Sequence, residues 1–159
     1  MIATKLIDLL ENYISAFKNY DLSKVRHLYQ LPCALHTPDK IVYLTNEPAF
    51  EQEFIQIFTV LQHANISDIK ITKATYNKSI NSEIDLSINW VFIDDKGDVF
   101  TEFCAFYHLV LVEKQKVEQE QQYKIISVVS HELLNSVELP FSLSPKLLSG
   151  LSINLPPVN

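Results

Sequence analysis

The apolar positions change period once along this chain. Up to about Asn65 they recur at helical spacing, and from Ile66 to His131 they alternate. Leu6, Leu9, Leu10, Tyr13, Ile14 and Phe17 form one stripe at i, i+3, i+4 and i+7, which predicts a first helix that Thr4 can cap. Asp21 predicts the cap of a second, shorter helix, which carries Leu22, Val25, Leu28 and Tyr29 and stops at Pro32. Residues 33–36 and 41–44 read as short strands. Thr37-Pro38-Asp39-Lys40 between them has turn chemistry, because proline presets φ and aspartate bonds back to the backbone. A third helix opens at Asn46, with Pro48 in its first turn and a stripe of Phe50, Phe54, Ile57, Phe58 and Leu61.

Strand patterns then cover residues 68–78, 83–93, 99–113 and 123–132. Asp94-Asp95-Lys96-Gly97-Asp98 reads as a hairpin loop, with Gly97 suited to the left-handed position of a bulged turn. Helices first and an antiparallel sheet afterwards predict a segregated α+β fold, its helices on one sheet face and a pocket enclosed between them. One domain spans 1–132. The remainder, 133–159, carries Pro140, Pro145, Pro156 and Pro157 among leucines and serines. It is too apolar for a plain linker, so it is expected to pack on the domain or on a partner subunit.

This order resembles a known family. A tyrosine-bearing first helix runs into Phe17-Lys18-Asn19-Tyr20-Asp21-Leu22, and Tyr29, a short hairpin and a third helix follow. Long strands then end in Tyr123-Lys124-Ile125-Ile126-Ser127. Over residues 4–132 the chain is similar to the nuclear-transport-factor-2-like (NTF2-like) superfamily, a cone-shaped α+β fold that includes ketosteroid isomerases and polyketide cyclases of the SnoaL type. The resemblance implies a strongly curved sheet, a pocket between sheet and helices, and frequent homodimers. Asn46 stands where that family often has glycine. The catalytic Asp or His of its enzymes aligns with no residue here, so no catalytic residue carries over.

Composition narrows the function classes. Hydrophobic residues make up 47% of the 159 residues and charged residues 20%, which is globular composition. The formal net charge of −6, from 13 Lys+Arg against 19 Asp+Glu, lacks the basic footprint that nucleic acid or an anionic membrane requires. No apolar run reaches the roughly 20 residues of a membrane span. Asp8 and Glu11 interrupt any signal-peptide core, so a cytoplasmic location is expected. Cys33 and Cys104 share no motif spacing and read as free buried thiols. The five histidines show no metal-ligand spacing, and the acidic loop around Gly97 lacks the length and glutamate of a calcium loop, so neither a metal nor a cofactor is expected.

Candidate chemistry follows from strand pairing. With Asp95-Lys96-Gly97 as a three-residue loop, Phe92 meets Phe100, Trp90 meets Glu102, Ile88 meets Cys104, Leu86 meets Phe106 and Ile84 meets His108. A loop of two or four residues shifts the register by one and breaks this grouping. In the first pairing Glu102 and His108 are the ionisable groups on an otherwise apolar, helix-facing side, and therefore the candidate general acid and base. Near the hairpin end Glu102 can equally be a solvated carboxylate, and His108 a bonded core histidine. Tyr13, Tyr29, His36, Tyr43, Trp90, Cys104, Phe106 and His131 are the expected pocket lining, with His131 opposite Cys104. Two functions emerge: a pocket protein for a small apolar ligand, working by acid–base isomerisation, cyclisation or dehydration, or a non-catalytic homodimeric interaction module. The 99–113 strand is apolar on both sides, so a partner subunit or the proline-leucine tail is expected to cover its outer face.

Overall fold

A computed structural model describes residues 1–113 and 120–133. All of the expected 133–159 tail except Leu133, and most of the polar connection after Glu113, lie outside the described residues. The elements run α1 (Ile2–Lys18), α2 (Leu22–His27), β1 (Tyr29–His36), β2 (Ile41–Leu44), α3 (Glu47–His63), β3 (Ile66–Lys78), β4 (Ile84–Asp94), β5 (Val99–Glu113) and β6 (Gln121–Glu132). No helix among the described residues is long and apolar enough to cross a membrane.

Local chemistry sets the boundaries. Asp21 caps α2 by accepting from the Lys24 N–H at 2.9 Å, and Asn46 caps α3 by accepting from the Ala49 N–H at 2.9 Å. Thr4 caps nothing: α1 starts earlier, at Ile2, with no side-chain cap. Asn65, where the apolar period changes, adopts φ +53° directly after α3. Asparagine tolerates this left-handed conformation, so one residue both stops the helix and redirects the chain into β3. The second helix is shorter than its apolar spacing suggests. It ends at His27, and Tyr29 instead opens β1. Pro32 lies inside β1, where the pairing with β6 is irregular between Tyr29 and Ala34, a position that tolerates a missing N–H.

The strands form one six-stranded sheet in the order β2-β1-β6-β5-β4-β3. It is mixed rather than purely antiparallel, because β1 runs parallel to β6, and it does not close into a barrel. Among the described residues the three α-helices precede β3, and the core lies between them and one face of this sheet. Its largest fully buried side chains include Trp90, Tyr29, Phe50 and Phe54. Aromatic rings carry the contact: Tyr13 stacks on Phe17 at 4.5 Å and on Trp90 at 5.3 Å, Phe50 stacks on Phe54 at 4.4 Å, and Phe17 meets Phe58 edge-on at 5.2 Å.

The hairpin loop forms as expected. Asp94 and Asp98 are joined by an Asp94 N–H to Asp98 carbonyl bond of 2.9 Å, and Gly97 has φ +87°. Ile93 pairs with Val99, but the next pair is Phe92 with Thr101. Phe100 is thus an extra residue, a β-bulge that shifts every later pair by one. Trp90 faces Phe103, Ile88 faces Ala105, Leu86 faces Tyr107, and Asp85 faces His108. The pairings of Trp90 with Glu102 and of Ile84 with His108 are therefore corrected.

On the outer face this register places His108 between two carboxylates, with Nδ1 2.7 Å from Asp85 and Nε2 2.9 Å from Glu83. The hydrogen bond to Asp85, then that to Glu83, outweigh partial desolvation and raise the imidazole above its ordinary range. A raised folded-state value means the stabilisation is fully present below the ordinary histidine value of about 6.5 and is lost as pH climbs through the folded value.

The stability advantage of wild type over His108→Gln should therefore be greatest near pH 6 and decline toward alkaline pH. Because the cluster is partly exposed, we expect at most about 1 kcal/mol, read from urea midpoints across pH. An advantage that grows with pH would contradict the bridge. Asn46→Ala should cost about 1 kcal/mol and Phe54→Ala about 3–5 kcal/mol by urea denaturation, because one removes a cap and the other empties the core.

Candidate functional site

The bulge at Phe100 turns Thr101, Phe103, Ala105 and Tyr107 toward the helices. Together with Tyr13 and Phe17 of α1, Phe54, Ile57 and Leu61 of α3, Tyr29 and Leu35 of β1, Phe92 of β4 and Val128 of β6, they enclose a cavity of about 210 Å³. Thr37, Thr101 and Ser130 add polar side chains, and His36 borders the cavity from a position whose cross-strand neighbours, Val129 and Phe106, are on the outer face. Among the described lining residues the ionisable side chains are three tyrosines and His36; none is a carboxylate or an ammonium.

Tyr13, Tyr29 and Tyr107 reach this cavity from α1, β1 and β5, and their hydroxyls interact with one another. Trp90 Nε1 donates to the Tyr107 hydroxyl at 2.9 Å behind the wall. Burial is the largest influence on all three phenols and holds them above the ordinary tyrosine range, Tyr29 and Tyr107 well above it. Each is therefore a neutral O–H at physiological pH, able to donate to an oxygen of a guest and unable to serve as a ready base.

The other expected site residues separate into groups. Tyr13 and Tyr29 line the cavity, His36 borders it from an outer-face position of β1, and Trp90 is fully buried behind Tyr107. Tyr43 does not line it: it sits on the edge strand β2, 71% exposed. Glu102, Cys104, Phe106 and His108 leave β5 on the opposite, outer face, because the bulge moves each by one position. Glu102 pairs with Val91 rather than Trp90. His131 pairs with Cys104 as expected, but it is exposed and stacks on Phe106 with ring centres 6.0 Å apart. Cys104 instead has Ser87 Oγ 3.8 Å from its sulfur. Cys33 is also free and buried, and burial pushes its thiol up to about 11.

Sequence reasoning missed Phe103, Ala105 and Tyr107 as lining. The signal was present in the charges: the observed register pairs Asp85 with His108, and the expected one sets a carboxylate against Trp90. The outer face also carries an apolar stripe. Cross-strand pairing runs Ile41 to His36 to Val129 to Phe106, and Ile41, Val129 and Phe106 are all exposed, with Tyr43 beside them on β2.

Two features gather around the turn between β1 and β2. Lys40, on the turn between β1 and β2, reaches buried Glu53 of α3 at 2.9 and 3.0 Å to its two oxygens. A second, polar hollow of about 300 Å³ is lined by Thr37, Pro38, Asp39, Thr101, Phe103, Ser130, His131 and Glu132.

No protein-family model matches the sequence, and no curated protein matches it by sequence. Solved structures do match in fold. Aln2 from a Streptomyces species superposes with a TM-score of 0.64 at 11% identity, over 82% of this chain and 90% of that one. An NTF2-like protein of unknown function in nutrient uptake from Rhodospirillum rubrum gives 0.61 at 10% identity, over 80% and 98%. An NTF2-like protein from Cytophaga hutchinsonii gives 0.58 at 11% identity, over 80% and 95%. At these identities the likeness is one of architecture: the chain has the NTF2-like α+β fold.

Proposed function

We propose that this protein binds a small molecule whose apolar part, about one ring in size, enters the cavity between α1, α3 and the sheet. The observation that carries this reading is the aromatic, hydroxyl-bearing lining of a cavity of about 210 Å³. An apolar cavity of ~150 Å³ accepts a benzene-sized guest, whereas drug-sized ligands occupy roughly 300–1,000 Å³. A charged group would enter without a counter-ion on the described lining, so the inserted part is uncharged. The tyrosine hydroxyls supply hydrogen bonds to an oxygen on that part. Any proton transfer in this cavity would fall to a tyrosine, since His36, Glu102 and His108 occupy positions on the other face of the sheet.

A second reading, a homodimer through the outer face, is favoured by the exposed stripe of Ile41, Tyr43, Phe106 and Val129. The two readings are compatible, because they use opposite faces of one sheet.

Calorimetric or NMR titration with benzyl alcohol should show saturable binding. Ala105→Leu, which grows the wall into the cavity, should weaken it at least tenfold while leaving the far-UV circular dichroism unchanged. Unaltered affinity in that variant would contradict the cavity reading. For the second reading, sedimentation at micromolar concentration should show a dimer that Phe106→Lys dissociates, and a strict wild-type monomer would contradict it.

A further inference from the structure

The strand register lays one row of residues straight across the outer face of the sheet. Ile41, His36, Val129, Phe106, Ser87 and Thr75 are successive cross-strand partners from β2 to β3. Ile41, Val129 and Phe106 are its exposed apolar members. The rows on its two sides differ in charge. One runs through Tyr43, Ala34, Ser127, His108, Asp85 and Asn77, and the other through His131, Cys104, Asn89 and Lys73.

Asp85 carries the negative side. His108 takes only its Oδ1, and the side chain is 72% exposed. A hollow of about 580 Å³ opens there, lined by Asp85 together with Thr75, Asn77, Phe106 and His108. Lys73 carries the positive side. It is exposed on edge strand β3 and has no ion-pair partner among the described residues. Asp85 lies two residues from Ser87, and Lys73 two residues from Thr75 in the opposite direction, each step about 6.7 Å along its strand. A two-fold axis laid along the row therefore carries Lys73 over Asn77 of the other copy, inside the hollow's lining. The offset left between Lys73 and Asp85 is one strand spacing, about 4.8 Å, which a lysine side chain spans.

We infer that a second copy of this chain docks on the outer face with a two-fold axis along this row, each copy's Lys73 entering the other's hollow beside Asp85. The inference rests on the homodimer reading and adds the orientation and the charges that select it. The interface is isologous: Phe106 and Val129 meet their own symmetry mates on the axis, and the lysine–aspartate pair occurs twice. An axis along β6 would instead lay β4 over β2, so that Asp85 met Tyr43 and Lys73 met no strand of the described sheet. Lys70 and Glu102 stand one row further from the axis, where twist parts the two sheets.

Charge reversal tests this orientation. In sedimentation equilibrium of the full chain at low salt, Lys73→Glu and Asp85→Lys should each weaken the dimer about tenfold, because an exposed pair is worth roughly threefold and symmetry makes two. An equimolar mixture of the two variants should recover wild-type association, since both pairs are of opposite sign in the mixed dimer. Added salt should shrink each effect. If loss of the His108 bond alters the far-UV circular dichroism of Asp85→Lys, Asn77→Lys takes its place, putting the same charge in the hollow without touching that bond. If the wild type dimerises but Lys73→Glu associates as tightly, or if the mixture stays as weak as its components, the orientation is overturned and the homodimer reading stands. If the wild type is a strict monomer, both are overturned.

Discussion

One extra residue in β5 decides which side chains the helices meet. After Ile93 pairs with Val99, the bulge at Phe100 moves the register by one, and every later residue of β5 exchanges faces relative to an unbulged hairpin. The exchange brings Phe103, Ala105 and Tyr107 inward beside Ile88 and Trp90, and sends Glu102, Cys104, Phe106 and His108 outward. Without it a carboxylate would lie opposite fully buried Trp90, and desolvating that charge with no partner would cost several kcal/mol. With it, Glu102 and His108 leave the core, and His108 bonds between Asp85 and Glu83.

The same shift builds the cavity. Helices α1 and α3 bring aromatic rings to the sheet, and Ala105 in mid-strand leaves space that those rings do not fill. Buried hydroxyls are tolerable there only when bonded, and the wall meets that demand through the contact of Trp90 with Tyr107 and the mutual contacts of the tyrosines. No buried side-chain nitrogen or oxygen among the described residues lacks a partner. The result is a site whose interior is aromatic and hydroxyl-bearing, with no carboxylate or ammonium among its described lining residues.

Much of the architecture was legible because it depends on local rules. The helical stripes, the caps at Asp21 and Asn46, the turn at Gly97 and the alternation of the long strands are all short-range signals, and the left-handed Asn65 falls where the apolar period changes. What was illegible depends on pairing. Tyr29 fits a helical stripe as well as a strand, and only its place beside Ile125 of β6 decides between them. The parallel pairing of β1 with β6 joins segments distant in sequence, so no short-range pattern announces it. The bulge was hidden because β5 is apolar on both sides: Cys104 or Ala105, Phe106 or Tyr107 would satisfy the core equally, and alternation alone cannot choose. The expected acid–base pair was lost to that ambiguity, while Tyr13 and Tyr29, on other elements, were not.

The cavity depends on the inward orientation of Phe103, Ala105 and Tyr107, and a bound guest reports it. Intermolecular nuclear Overhauser effects from the ring protons of bound benzyl alcohol should reach the side chains of Tyr13, Phe54, Ala105 and Tyr107 and be absent at Phe106 and His108. Effects reaching Phe106 and His108, with none at Tyr107, would mean that β5 pairs without its bulge and that the site has been assigned to the wrong face of the sheet.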